Sequence, residues 1–289
     1  MIIGASLKVS DCASADHEAA TKALIKGLTA GDRADGPKYL IHTSGTGILM
    51  HKDLESNFNK KPRTLGEAAD DIYDDWSGVT QVTSLPDFAP HRKVDRLVIE
   101  SDGPSLKTAI VCPPTIYGVA RGPGNVRGHQ LYELARCTLE KGHGLQIGAG
   151  KTFWTYIHVK DMSKVYLKLV NAALAGGGEA TWGAAGYYFT ENGEHVWGDV
   201  SKAVAREAKK QGLISDDQVL SVSADEGDRL TKYGSLLWGA NSRCRAVRAR
   251  ELLGWVPIEK SLYEEIPNAV SSEARRLGLT SGHGSKVAG

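Results

Sequence analysis

Apolar positions along the chain fall into two periods. Short runs with β-branched residues predict buried strands at Lys38–Thr43 (K-Y-L-I-H-T) and Lys107–Val111 (K-T-A-I-V). Shorter strands are predicted at Leu145–Ile147, Tyr156–Val159 and Tyr187–Thr190, and a weakly determined one at Met1–Leu7. Between them the spacing turns helical. Asp16 is placed to cap a helix through about Leu28, with Ala20, Leu24 and Leu28 on one face. Pro90 sits where a first helical residue would, ahead of His91–Glu100, with Val94, Leu97 and Val98 inward and Arg92, Lys93 and Arg96 outward. Gln130–Lys141 carries an apolar stripe and stops at Gly142. Asp161 is read as the cap of a strong helix that runs to Gly176–Gly178, and two more helices are read at Trp197–Gln211 and about Ser242–Leu253. His51–Leu85 breaks the pattern and reads as a long excursion with at most short helices.

Strands alternating with helices give an α/β chain with a parallel sheet. The Lys107–Val111 strand meets Pro113-Pro114, which have no N–H for a sheet, and turns into Thr115-Ile116-Tyr117-Gly118. Open parallel sheets hold ligands where strands end in shaped loops. The candidate site is therefore at this edge. A glycine-rich loop, V-A-R-G-P-G-N-V-R-G, follows it.

Composition narrows the partners. The 289 residues include 35 basic and 34 acidic side chains, a net charge of +1. That balance argues against nucleic acid or an anionic membrane as main partner and leaves a small-molecule substrate. A homo-oligomer is compatible with it. Cys12, Cys112, Cys137 and Cys244 are scattered, without a C-x-x-C pair, and read as reduced thiols in the cytoplasm. The start M-I-I-G-A-S-L-K lacks a signal peptide's apolar run, and no stretch is long and apolar enough to span a bilayer.

Several stretches in order resemble the extended short-chain dehydrogenase/reductase superfamily, of the NAD-dependent epimerase/dehydratase type. They are I-H-T-S-G-T-G at 41–47, H-R-K-V-D-R-L-V-I-E at 91–100, C-P-P-T-I-Y-G at 112–118, Y-I-H-V-K-D-M at 156–162 and A-R-E-L-L-G-W-V-P at 249–257. The resemblance covers about Asp16 to Leu279 and is greatest to uncharacterised fungal NAD(P)-binding members. It implies a Rossmann-like doubly wound parallel sheet, N-terminally truncated, with a smaller C-terminal substrate domain. Residues 1–120 and 155–190 would form the NAD(P)-binding core, 121–154 and 191–279 the substrate-binding lobe, and 280–289 a disordered tail. NAD or NADP would be the cofactor.

The departures from that pattern shape the expected site. The family opens with strand–G-x-x-G-x-x-G–helix, which grips the pyrophosphate; this chain has no such motif and reads as beginning after the first two βα units. The family's catalytic Tyr-x-x-x-Lys aligns with Asp87 and His91, so the acid/base tyrosine is absent. His91 remains a candidate for ribose binding or proton transfer, or is a plain helix-start histidine. Tyr73 and Tyr117 are alternative phenols. Ser44 and Thr46 fall at the substrate-polarising hydroxyl, Thr46 the better match by count; a small-residue turn explains them equally. Pro113, Pro114, Thr115 and Ile116 correspond to the loop flanking the nicotinamide, and Tyr117, Asn125 and Gln130 to the substrate side. Trp154 stands where epimerases keep a phosphate-binding arginine, which counts against a UDP-sugar and favours a less charged or aromatic-compatible ligand. Arg243 is either one substrate-anion contact or part of a solvated face. His158 and Asp161 read as strand end and helix cap, and no metal site is expected.

Three functions fit these residues. The first is an NAD(P)-dependent oxidoreductase of the epimerase/dehydratase type acting on a small carbonyl or alcohol, catalytically impaired or not. The second is a non-catalytic NAD(P)-binding redox sensor or regulator. The third is an inactive fragment.

Overall fold

A computed structural model of the chain describes residues 8–30, 36–54, 63–122 and 124–279. The strand at Met1–Leu7 and the tail from Thr280 fall outside them. In chain order the elements are β1 (Lys8–Asp11), α1 (Glu18–Thr29), β2 (Lys38–Thr43), a 3-10 turn (Thr46–Met50) running into α2 (His51–Leu54), β3 (Tyr73–Asp74), α3 (Val79–Thr83) and α4 (Arg92–Glu100). Then come β4 (Leu106–Cys112), β5 (Thr115–Tyr117), α5 (Gln130–Lys141), β6 (Gly144–Ile147), β7 (Phe153–His158), α6 (Val159–Leu174), β8 (Tyr187–Phe189) and β9 (Glu194–Val196). The chain closes with α7 (Trp197–Lys210), β10 (Val219–Val222), α8 (Ala224–Leu230), α9 (Gly234–Gly239), β11 (Cys244–Arg245), α10 (Arg248–Leu253) and α11 (Leu262–Arg276).

The central sheet is parallel, in the order β1-β2-β4-β8. Ile41 lies opposite Ala109 and Val111 opposite Tyr188, so the apolar centres of the strands are aligned. Such two-sided burial is what a continuous apolar run achieves in a parallel sheet. With helices packed on the sheet, this is a Rossmann-like α/β fold. A smaller mixed sheet, β5-β7-β9, pairs β5 and β7 parallel and β7 and β9 antiparallel. Two apolar clusters result. One surrounds the central sheet and takes in Cys244, Ala246, Ala249 and Trp255 from the C-terminal stretch. The other packs α5, α7 and α11 around Trp154, Trp197 and Trp238. No helix among the described residues is long and apolar enough to cross a membrane.

Several local expectations are corrected. The α1 cap is His17, whose Nδ1 accepts the Ala20 N–H at 3.1 Å, not Asp16. The α6 cap is His158, whose Nδ1 accepts the Lys160 N–H at 3.2 Å. Asp161 is buried instead and accepts the Ile258 and Glu259 N–H groups at 2.9 and 2.8 Å, tying α6 to the C-terminal segment. Pro90 does not begin α4. The helix starts at Arg92, and His91 precedes it in the left-handed region with φ 64°. Arg92 points inward, donating from Nε to the Leu85 carbonyl at 2.9 Å. Thr115–Tyr117 is a strand rather than a loop, because β7 offers it a parallel partner. Ser242–Leu253 divides into β11 and α10, and α11 was not anticipated at all.

Candidate functional site

The C-terminal ends of β2 and β4 open onto a cavity of about 710 Å³. That is within the range of small-molecule sites. Its floor is Gly45, Thr46 and Gly47 from the turn after β2, and Pro113, Pro114 and Ile116 from the segment after β4. The Thr46 N–H donates to the Pro113 carbonyl at 3.0 Å, locking the two strand ends together. Thr46 is buried, and its Oγ1 has no hydrogen-bond partner among the described residues. A buried hydroxyl without a partner is costly unless a ligand satisfies it.

Ser44 lies one step below. It does not line the cavity; its Oγ donates to Asp95 Oδ2 at 2.9 Å, as does the Tyr187 hydroxyl at the same distance. Burial pushes the Asp95 carboxyl above its ordinary range, against the opposing pull of His42. Ser44 is thus engaged in a buried network that underpins the turn.

His91 forms the side wall together with Asp16. Its Nδ1 lies 2.9 Å from Asp16 Oδ1. A Cβ at Gly45 or at Gly47 would each come within 3.2 Å of His91 Nε2. Glycine at both positions therefore leaves the space that the imidazole fills. Asp87, aligned with the family tyrosine, is bound instead to Arg96 at 2.7 and 2.6 Å and does not line the cavity.

The rest of the lining is largely apolar: Met50, Trp154, Met162, Leu236 and Leu237, with Asn125 and Tyr233 at the rim. Trp154 is held by its Nε1, which donates to the Ala240 carbonyl at 2.7 Å. Gln130 bridges Thr115 Oγ1, 2.9 Å away, and the Leu237 carbonyl, 3.0 Å away. Arg127 is committed to Glu133 and Glu273 at 2.8 and 2.6 Å. Tyr233 and His91 are the two non-glycine residues with positive φ among those described, and both line this cavity. Such backbone geometry concentrates at functional sites.

The structure thus brings Thr46, His91, Pro113, Pro114, Ile116, Asn125, Gln130 and Trp154 to one cavity. Four other candidates are not in its lining. Thr115 is buried behind Gln130. Tyr117 donates its hydroxyl to the Lys260 carbonyl at 2.6 Å, and burial pushes that phenol far above its ordinary range. Tyr73 is buried in the sheet cluster. Arg243 pairs with Glu194 through Nε and Nη2 at 2.7 and 3.0 Å and stacks over Phe153. Sequence reasoning missed Asp16, Met50, Tyr233, Leu236 and Leu237. Only the chain's folding brings these to the strand ends, and no local signal marked them.

The arrangement places Thr46 and His91 in a pocket at the strand ends of a Rossmann-like sheet. Solved structures share the fold. They include a UDP-glucose 4-epimerase from Thermotoga maritima (TM-score 0.55, 14% identity, covering 93% of this chain and 78% of that one). Another is DesIV, a dTDP-glucose 4,6-dehydratase from Streptomyces venezuelae (TM-score 0.55, 14% identity, 93% and 73%). No family model matches the chain. At the sequence level it is 38% identical over 282 residues to the oxidase ucsJ of Acremonium sp, covering 94% of this chain and 79% of that protein. The chain belongs to the family of that oxidase.

Proposed function

We propose that the protein is an NAD(P)-dependent oxidoreductase acting on a neutral, largely apolar alcohol or carbonyl compound. The observation that carries this reading is the cavity at the ends of β2 and β4, where Thr46 and His91 both contribute to an otherwise largely apolar lining. The relative's name, an oxidase, and the NAD present in the DesIV structure agree with redox chemistry there.

The residues present fit the nicotinamide–ribose half of the cofactor. Pro113 and Pro114 give a flat wall without N–H groups, Thr46 Oγ1 lacks a partner, and His91 is in reach of a ribose or substrate hydroxyl. The described residues contain no G-x-x-G-x-x-G turn for the pyrophosphate. When bound, NAD or NADP would supply a hydride acceptor or donor. Thr46 would hold the substrate oxygen by donating from Oγ1, and His91 would take or return its proton at Nε2. Met50, Trp154, Leu236 and Leu237 would hold the substrate body and keep water out. Trp154 and the already paired Arg127 leave the described residues of the lining without a free arginine or lysine for a sugar diphosphate, which supports a neutral substrate.

The presence of two apolar clusters supports two units, a cofactor core (1–120 and 155–190) and a substrate lobe (121–154 and 191–279), although Cys244, Ala246, Ala249 and Trp255 pack with the first and Met50 and Tyr117 with the second. Four unpaired cysteines support a cytoplasmic setting.

Fluorescence titration with NADH and NADPH tests the reading: saturable binding is expected, and none at millimolar cofactor would refute it. NADPH oxidation with a panel of aldehydes and ketones then reads turnover. A second reading, a non-catalytic NAD(P)-binding regulator, is favoured by the position of Asp87, paired with Arg96 outside the cavity lining. It expects binding without turnover across the panel.

A further inference from the structure

We propose that Asp16 and His91 form an acid–base dyad, in which Asp16 is the positioning residue that holds His91 in the Nδ1–H tautomer and turns the Nε2 lone pair to the cavity. The proposal rests on the reading of that cavity as a site for an alcohol or carbonyl substrate.

Five observations converge on one ring. Asp16 Oδ1 lies 2.9 Å from Nδ1, across 75 positions of sequence. The Asp16 side chain is free for this contact because His17, not Asp16, caps α1. Gly45 and Gly47 lie on Nε2 so closely that a Cβ at either would sit 3.2 Å from it. His91 adopts φ 64°, a conformation a side-chain-bearing residue rarely takes unless its surroundings impose it. Nε2 makes no hydrogen bond to any described residue, although Nδ1 does.

A carboxylate on Nδ1 selects the tautomer in which that nitrogen carries the hydrogen. Nε2 is then a base. When a substrate hydroxyl releases its proton, the O–H bond breaks and an Nε2–H bond forms. The imidazolium so produced sits beside the Asp16 carboxylate, which stabilises its charge. In the reverse direction Nε2–H returns the proton to a carbonyl oxygen. The Asp16 side chain is 67% exposed and that of His91 22%, so the carboxylate stays in water while the imidazole faces the pocket.

A bare surface ion pair between the α1 approach and α4 would show the same distance. The two differ in what Asp16→Ala does to the ring. In cofactor-free protein labelled with 15N-histidine, observed well above the histidine titration range, wild-type His91 is expected to show a protonated Nδ1 and an unprotonated Nε2. Asp16→Ala is expected to shift it toward the Nε2–H form. It should also lower kcat in the NADPH-coupled panel roughly 100-fold, within the range of general acid–base contributions, with KM and NADPH affinity unchanged. Asp16→Glu should restore part of both signals. An Nε2–H tautomer in the wild type, or a spectrum unchanged in Asp16→Ala, overturns the dyad even if NADPH binds. Failure of NADPH binding with the expected tautomer removes the redox reading instead, so the two failures are distinct.

Discussion

His195 gives the sharpest physical test of the packing behind the cavity. It lies on β9 directly opposite Trp154, the residue that walls the cavity. Its ring stacks on Tyr156 at 5.9 Å and meets the Trp197 ring edge-on at 4.5 Å. Neither ring nitrogen has a hydrogen-bond partner among the described residues. Burial alone pushes its pKa from 6.5 down to about 3. The unfolded chain therefore binds a proton from pH 6.5 downward that the folded protein refuses until about pH 3. The associated stability is fully present above pH 6.5 and is lost as the pH falls toward 3. At about 1.36 kcal/mol per pH unit the whole window amounts to ~5 kcal/mol, and ~3 kcal/mol of it is lost by about pH 4.5.

The perturbation is His195→Phe, which cannot titrate in either state. Two unpartnered buried nitrogens disappear, a gain of roughly 1–3 kcal/mol each, offset by about 1–3 kcal/mol for the larger ring. That offset does not depend on pH, so the slope is the signal. Urea unfolding followed by tryptophan fluorescence at about pH 7.5, 6.5, 5.5 and 4.5 should show wild type losing ~1.4 kcal/mol per unit relative to the variant once below about pH 6. A stability difference that stays constant with pH refutes the reasoning, because His195 would then accept its proton while folded.

Other substitutions test the packing beside the cavity. Gly118 has φ 88°, and a Cβ there would land on the His158 imidazole. Gly118→Ala should cost ~2–5 kcal/mol, combining the left-handed penalty with overpacking, read as a lowered thermal midpoint. Asp161→Ala leaves the Ile258 and Glu259 N–H groups without their acceptor and Lys164 Nζ, 2.8 Å away, without its partner. It should cost ~3 kcal/mol in urea unfolding, against ~1 kcal/mol for the cap variant His158→Ala. The reverse ranking would restore Asp161 as the cap.

Features whose physics is local could be read directly from the chain. Lys38–Thr43 and Gln130–Lys141 have the boundaries their periodicity predicts, and Gly142 ends α5 in the left-handed conformation with φ 75°. The α11 start was legible too: Ser261 and Glu264 form a capping box, and the S-x-x-E signal stands in the sequence. Asp16 and Asp161 show where such reasoning stops. Each has the composition of a helix cap, yet each carboxylate was taken by a partner 75 or more positions away. A local rule cannot weigh a competitor that only folding supplies.

The cavity divides the same way. Thr46, Pro113 and Pro114 were marked by the abrupt ends of their strands, because a parallel sheet puts its strand ends on one edge. Tyr233, Leu236 and Leu237 join them only because α9 folds back over that edge. The sequence alone determined the alternation of strands and helices, the parallel sheet, and which strand ends border the cavity, since periodicity and chain stops act over a few residues. The tertiary structure decided that His91 meets Asp16 at Nδ1 and a pair of glycines at Nε2, that Ser44 and Tyr117 are turned to other partners, and that the pocket wall is largely apolar. Those outcomes depend on which side chains meet across long chain separations, and no local pattern encodes that.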